Sequence, residues 1–358
     1  MSRPPRVSVL IPCFDLGRFL DEAVDSVFAQ SCQDFEILIV DDGSTDPETV
    51  RLLAGYQRPK AVVLAAAHGG LAAARNLALG RARGEFVCAL DADDRLDPRF
   101  LEATLAAFDA DPGLTFCSAW QRAFGEAEWV WRQERCDLAA LLAENTVLPA
   151  ALVRRDAVVA AGGWDTAMPS SGYEDWDLWL SLVELGHRGT ILPEVLFHYR
   201  QRSDSMSAGI YARPEVHREL MRYLYAKHEV SYSRHLWEVY DLMQGRGAEV
   251  LRRTYDLERR LATWLEPQAA GLRAELARLD ARIAAAGGLP PPRPVRAASK
   301  APAALASEQA AAARLADLES ALAAARHEAA ALRASASWRV TAPLRATYDW
   351  LLRLRGER

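Results

Sequence analysis

Four times between Val7 and Asp109, a short apolar run gives way to a stretch with helical character. The runs Val7–Ile11, Phe35–Val40, Ala61–Ala66 and Phe86–Leu90 have the length of buried strands. Leu16–Gln30, Thr49–Tyr56, Leu71–Arg83 and Arg99–Asp109 are read as the helices between and after them, the first with Leu16, Phe19, Leu20, Ala23 and Val27 at helical spacing. Parallel strands need such crossovers, so the pattern predicts an α/β fold: a Rossmann-type, mostly parallel sheet with helices on both faces. Pro12 is read as the end of the first strand. In such sheets ligands gather beyond the carboxyl ends of the strands. Asp41, Gly69, Gly70, Asp91 and Asp93 all follow strand ends, so one site can collect them.

The fourth run carries the sharpest signal. Phe86–Leu90 passes directly into Asp91, Ala92, Asp93 and Asp94. If the strand continues, residues two apart point the same way and Asp91 and Asp93 share a face. Two carboxylates there suit a hard divalent cation, magnesium or manganese, with a ligand's phosphates completing the shell. Helix capping is the plainer explanation, and it accounts well for Asp97 before Pro98. It does not account for a pair directly behind an apolar strand, which favours the cation. A dinucleotide fold is disfavoured: the first turn, Pro12–Gly17, has no GxGxxG and no Walker lysine.

Composition narrows the classes. The formal net charge of -5 gives no basic footprint for nucleic acid. Five cysteines without a CxxC pair read as reduced thiols of a cytosolic protein. The N-terminus leads into the first strand without a signal-peptide core, and no apolar run reaches the ~18 residues of a membrane span.

Between Thr115 and Trp131 lie strand-like pieces rich in aromatics, and Val147–Val153 and Ile191–Tyr199 read as further strands. Gly172-Tyr-Glu-Asp-Trp-Asp177 precedes a helix that buries Leu178, Leu182 and Leu185. Tryptophans near carboxylates suit a sugar, whose apolar ring face stacks while its hydroxyls hydrogen-bond. Core packing is the alternative for both Trp176 and Trp179, and Trp179, on the apolar helix face, is read as core.

Past 230 the composition changes, which divides the chain into residues 1–230, a helical extension 231–286, a proline-rich linker 287–304 and a tail 305–358. Leu261 to Ile283 approximates a heptad seam interrupted near Pro267; Leu315, Leu318, Leu322, Ala325, Ala329 and Leu332 form a short second one, which predicts coiled-coil or oligomer contacts, with a lone helix or a partly disordered stretch as the alternatives. Ser337–Arg358 combines Trp338, Trp350 and several leucines with five arginines. It is read as an amphipathic helix that lies in an anionic membrane interface, with packing on its own protein or on a partner helix as an equal alternative.

Six segments, in order, resemble the inverting family 2 glycosyltransferases of GT-A fold: Val7–Asp15, Val40–Asp46, His68–Asn76, Asp91–Asp94, Gly172–Leu178 and Tyr199–Ser207. The resemblance implies transfer of a sugar from a nucleotide-diphosphate sugar to a hydroxyl of a growing, lipid-linked cell-surface glycan. It implies a metal held by Asp93 and Asp91, and Asp175 as the general base. It further implies a substrate-binding set of Pro12, Asp15, Asp41, Gly70, Arg75, Asp91, Glu174, Trp176 and Arg202, with Asp41 toward the nucleotide base. Arg202 stands where the family often has His, so it is expected on the donor phosphates, not on the metal. His68 stands where Asn is usual and is assigned no catalytic role. The run Ser337–Arg345 resembles tails of bacterial surface-polysaccharide enzymes, which implies a cytoplasmic protein on the inner membrane face. Two other classes compete: a catalytically weak GT-A scaffold for a glycan-synthesis complex, disfavoured by the intact carboxylates, and a sugar nucleotidyltransferase, disfavoured by the missing Gly-rich Arg-Lys loop.

Overall fold

The computed structural model describes residues 3–245, 265–285 and 313–326, with single positions at 256, 259 and 263. Two compact units, Met1–Val239 and Tyr240–Arg358, divide the chain, so the first runs past the expected boundary at 230. The expected linker at 287–304 and the basic tail from Ser337 lie outside the described residues.

The first unit opens with β1 (Val7–Cys13), α1 (Gly17–Phe28), β2 (Phe35–Asp41), α2 (Pro47–Ala54), β3 (Ala61–Ala65), α3 (Leu71–Leu79) and β4 (Phe86–Ala89). It continues with β5 (Arg95–Leu96), α4 (Phe100–Ala110), β6 (Phe116–Gly125), β7 (Trp129–Trp131), α5 (Leu138–Ala143), β8 (Leu152–Arg154) and α6 (Arg155–Ala160). Then follow α7 (Glu174–Glu184), β9 (Gly189–Gln201), α8 (Met206–Ala212), α9 (Pro214–Lys227) and α10 (Glu229–Arg234). A further helix, α11, covers 236–245. The strands form one sheet in the order β3-β2-β1-β4-β8-β6-β9-β5, with β7 added on β6. The first four strands are mutually parallel, β8 is antiparallel to both neighbours, and β6 and β9 return to parallel pairing. The expected mostly parallel α/β sheet is therefore present.

Three expectations change. β1 continues through Pro12, because pairing with β4 ends at Leu10↔Ala89 and only the β2 edge runs on to Cys13↔Asp41. The proline, lacking a donor, stands where one side of the strand no longer needs one. β4 ends at Ala89, so Asp91 and Asp93 do not project from one strand face; they lie in a turn closed by the Asp94 N–H on the Asp91 carbonyl (3.1 Å). Within Val147–Val153 only the last two residues belong to a strand, β8.

Buried polar groups lock the sheet. The Glu36 carboxylate accepts from Ser8 Oγ (2.7 Å) and from the Arg83 backbone N–H (2.8 Å), and Ser8 Oγ accepts from the Gly84 N–H (2.8 Å). That fixes the start of β4 against β1. A side chain at Gly84 would stand 2.6 Å from the Ser8 nitrogen, so the close approach requires glycine. All five cysteines are free, as expected, and burial pushes the Cys13 thiol up to about 12. In the second unit, α12 (Glu266–Ala285) and a helix at 313–326, α13, carry two ion pairs, Arg273–Glu319 and Arg326–Glu266, both at 2.8 Å. The pairing order makes these two helices antiparallel.

Behind α7 lies a cluster of charges that ties it to α9 and α10. His228, almost fully buried, bonds Asp177 through Nε2 (3.0 Å) and Glu184 through Nδ1 (2.8 Å). Lys227 reaches Asp177 (2.8 Å) and Asp165 (2.5 Å). Burial alone would lower the His228 pKa, but the bonds to Asp177 and Glu184 outweigh it and raise it. A raised value means that the imidazolium stabilises the fold fully below the unfolded value of about 6.5, and that this contribution disappears as pH rises through the folded value. His228→Ala should therefore lower the urea midpoint more at about pH 6 than at about pH 9. Equal shifts at both would leave His228 a packing role only.

Candidate active site

Beyond the carboxyl ends of β1, β2 and β4, the N-terminus of α7 and the segment after β9 enclose a cavity of about 400 Å³. The parallel strands deliver Pro12, Asp42, Asp91 and Asp93 to its wall. Gly70 and Arg75 come from the start of α3, Glu174 and Asp175 from the first turn of α7, and Arg202 from the loop after β9.

Arg75 is its keystone. The side chain is 1% exposed and donates Nη2–H to Asp91 (2.7 Å) and Nη1–H to Glu174 (2.8 Å). It thereby joins the turn after β4 to the first turn of α7. Glu174 also accepts the Gly172 N–H at 2.8 Å, which shapes the entry into that helix. Tyr173, the residue before α7, holds a left-handed φ of 67°, a conformation kept by its surroundings.

Asp175 accepts a hydrogen bond from Asn145 Nδ2 at 3.0 Å. Burial and the charge of Glu174 push its pKa up to about 6, against the opposing pull of Arg75 and the Asn145 bond. A carboxylate at that value, lining a cavity, is a suitable proton acceptor near neutral pH.

Across the cavity Asp93 pairs with Arg202 at 3.1 Å, and Arg202 also holds Asp204 at 3.3 Å. Burial and the neighbouring Asp91 raise the Asp93 pKa, with Arg202 opposing. Beneath it Asp94 accepts the Arg200 N–H (2.7 Å) through Oδ1; its Oδ2 is buried with no hydrogen-bond partner among the described residues. Burial and then Asp93 and Asp91 lift the Asp94 carboxyl well above the usual range. The site is thus overloaded with negative charge: Asp42, Asp91, Asp93, Glu174 and Asp175 line it against Arg75 and Arg202. Among the described residues no three His, Cys, Asp or Glu side chains are grouped to hold a metal. Asp91 and Asp93 nonetheless fit a hard cation in one respect: they offer two oxygen donors where mutual repulsion raises a carboxyl's pKa, a condition that a cation relieves.

On the β1–β2 side, Phe14 stacks on His68 with ring centroids 4.2 Å apart, both on the cavity wall. Asp42, its neighbour, accepts the Gly69 and Gly70 N–H groups at 2.8 and 3.0 Å. Three expected residues do not line the cavity. Asp15 accepts the Thr45 and Asp46 N–H groups (2.6 and 2.7 Å), and Asp41 accepts from Ser44 N–H (2.9 Å). Trp176 turns its indole into the fold and donates to the Leu141 carbonyl at 2.6 Å. Trp179 is 1% exposed, in the core as expected. Phe14, Asp42, His68 and Asn145 are site residues that the sequence reading passed over; only Asn145 belongs to no segment that the reading had singled out.

Arg75→Met would leave Asp91 and Glu174 unpaired in a buried setting, and such a break costs about 3–5 kcal/mol. Denaturant unfolding should show a loss of that size; a loss below about 1 kcal/mol would mean that the pair is solvated and not a keystone.

The family model for "Glycosyl transferase family 2" matches residues 8–161, a span that stops short of Asp175 and Arg202. Among curated proteins, the putative glycosyltransferase EpsE of Bacillus subtilis is 28% identical over 213 residues, 57% of this chain and 76% of that protein. The O-antigen biosynthesis protein RfbC of Myxococcus xanthus is 31% identical over 214 residues, 57% of this chain and 16% of that protein. The chain spans 24% or less of several other curated relatives. Among solved structures, S. aureus TarS 1-349 in complex with UDP-GlcNAc aligns with a TM-score of 0.52 and 23% identity, covering 62% of this chain and 66% of that one. The fold is shared with that structure, and residues 8–161 are similar in sequence to glycosyl transferase family 2.

Proposed function

We propose that the chain transfers a sugar from a nucleotide-diphosphate sugar to a hydroxyl of a growing cell-surface glycan, with inversion at the anomeric carbon. The observation that carries this reading is one cavity that gathers Asp175, with its raised pKa, opposite Asp91, Asp93 and Arg202. The acceptor oxygen attacks the anomeric carbon as the bond to the diphosphate oxygen breaks, and the hydroxyl proton passes to Asp175. Asn145 orients that carboxylate, and Glu174 keeps it basic while staying paired to Arg75. Arg202 offers a guanidinium fork to the diphosphate, and the Phe14–His68 wall offers a stacking face to the base.

Asp93 and Asp91 would hold the divalent cation, with diphosphate oxygens and water completing its shell. Once bound, the ion supplies positive charge against the departing diphosphate. The neighbouring nucleotide-sugar complex and the polysaccharide-related curated relatives support the donor and glycan classes. No helix among the described residues is long and apolar enough to cross a membrane. The arginine- and tryptophan-rich sequence at 337–358 supports peripheral attachment at the cytoplasmic membrane face, which would concentrate a lipid-linked acceptor.

Asp175→Asn should leave donor KM within a few-fold and lower kcat by ~100-fold or more, the scale for a lost general base. Since the base works unprotonated, wild-type kcat should climb as pH rises through about 6, the value of Asp175, and that inflection should vanish in the variant. A comparable loss in donor affinity would give Asp175 a binding role instead.

Asp93→Ala should abolish transfer, and it should weaken donor binding measured by calorimetry in the presence of manganese far more than in chelator. Full wild-type turnover in excess chelator would remove the cation from this scheme.

A further inference from the structure

One aromatic row continues outward from the cavity wall. Tyr199 of β9 lines the cavity, and its hydroxyl is tied to Ser207 Oγ at 2.6 Å. In the sheet Tyr199 is paired with Ala123 of β6, and Ala123 is paired in turn with Trp129 of β7. Side chains of paired residues share a face, so the three form one cross-strand row. Ala123 is small enough to let the outer two meet, and the Trp129 and Tyr199 ring centroids lie 6.4 Å apart.

Trp129 ends that row in solvent, 41% exposed, on a three-residue strand that pairs with β6 alone among the described residues. Its neighbour two along, Trp131, is half-buried against the core and anchors β7. The hairpin is also fixed to the site. Glu126 accepts the Ser203 N–H (2.9 Å) and hydroxyl (3.2 Å), and its own N–H donates to the Gln201 carbonyl (3.1 Å). Ser203 follows Arg202 directly, so the β6–β7 turn and the Arg202 loop form one piece.

We propose that Trp129 is the platform of a carbohydrate subsite continuous with the cavity, on which a pyranose ring of the acceptor glycan stacks. An indole offers a flat apolar face to the C–H side of a pyranose, while the sugar hydroxyls remain free to hydrogen-bond. Glu128 and Arg132 at the two ends of β7 are exposed charges, an edge that does not suit an acyl chain. This inference rests on the reading of the cavity as the donor site, because continuity with that site is what makes the bound glycan an acceptor.

The test uses the full chain and two kinds of probe. Saturation-transfer NMR with chitotetraose, cellotetraose and maltotetraose reads the platform, and calorimetry with UDP reads the cavity. At least one tetrasaccharide should bind the wild type; Trp129→Ala should weaken it by about tenfold, the scale of a lost aromatic contact, and Trp129→Phe should restore part of the affinity. UDP affinity should be the same in all three. Equal tetrasaccharide binding in Trp129→Ala, binding of none by the wild type, or joint loss of UDP in both variants would overturn the platform. Failure of the wild type to bind UDP while the tetrasaccharide result holds would overturn the donor reading of the cavity and leave a glycan-binding face at Trp129.

Discussion

The site depends on one buried guanidinium. Arg75 spans two carboxylates that come from distant parts of the chain and is the counter-charge that both share. Its position fixes the distance between the turn after β4 and the first turn of α7, and hence between Asp91 and the residue after Glu174. Asp175 inherits its place from that ion pair. The charge cluster of His228, Lys227, Asp165 and Asp177 holds the same helix from the other side. The first turn of α7 is therefore fixed at both faces, and its carboxylates also lie where a helix N-terminus favours negative charge.

Around that fixed frame the site carries more negative charge than its two arginines balance. The surplus has a chemical use in each half. Near Glu174, burial and that surplus raise Asp175 into the range of a proton acceptor, and near Asp91 burial and the same surplus raise Asp93 and Asp94. One half is suited to take up a proton and the other to take up a cation. Arg202 and Arg200 moderate the second half without cancelling it: Arg202 is shared between Asp93 and Asp204, and Arg200 bonds the Asp93 carbonyl and Glu22.

Much of this was legible in the chain because the parallel sheet writes itself in the pattern. Buried strands read as continuous apolar runs, and their carboxyl ends must converge, so Asp91, Asp93 and Gly70 could be gathered from spacing alone. A strand through Asp93 would put both carboxylates on one face, whereas β4 stops at Ala89 and a turn brings Asp91 and Asp93 to the cavity wall. Trp176 stands beside two acids, as a sugar platform would, but neighbours on a helix point about 100° apart, and here Trp176 faces the Leu141 carbonyl while Asp175 faces Asn145. Asn145 had no local signal, since only tertiary packing brings the end of α5 to the first turn of α7. Arg75 was expected to touch substrate; nothing in His68–Asn76 announces that its partners are Asp91 and Glu174.

The order of these partners along the chain also bears on how the protein is made. Arg75 and Glu174 are 99 residues apart, and closing a loop of that length costs roughly 4 kcal/mol before any contact repays it. A nascent chain that has released only the first four parallel strands holds Arg75 with one of its two counter-charges. Such a half-sheet gains little by closing early, because it would bury a guanidinium that is still waiting for Glu174. The ion pair that organises the site thus also couples the two halves of the sheet, since the charge buried by one is balanced in full only by the other.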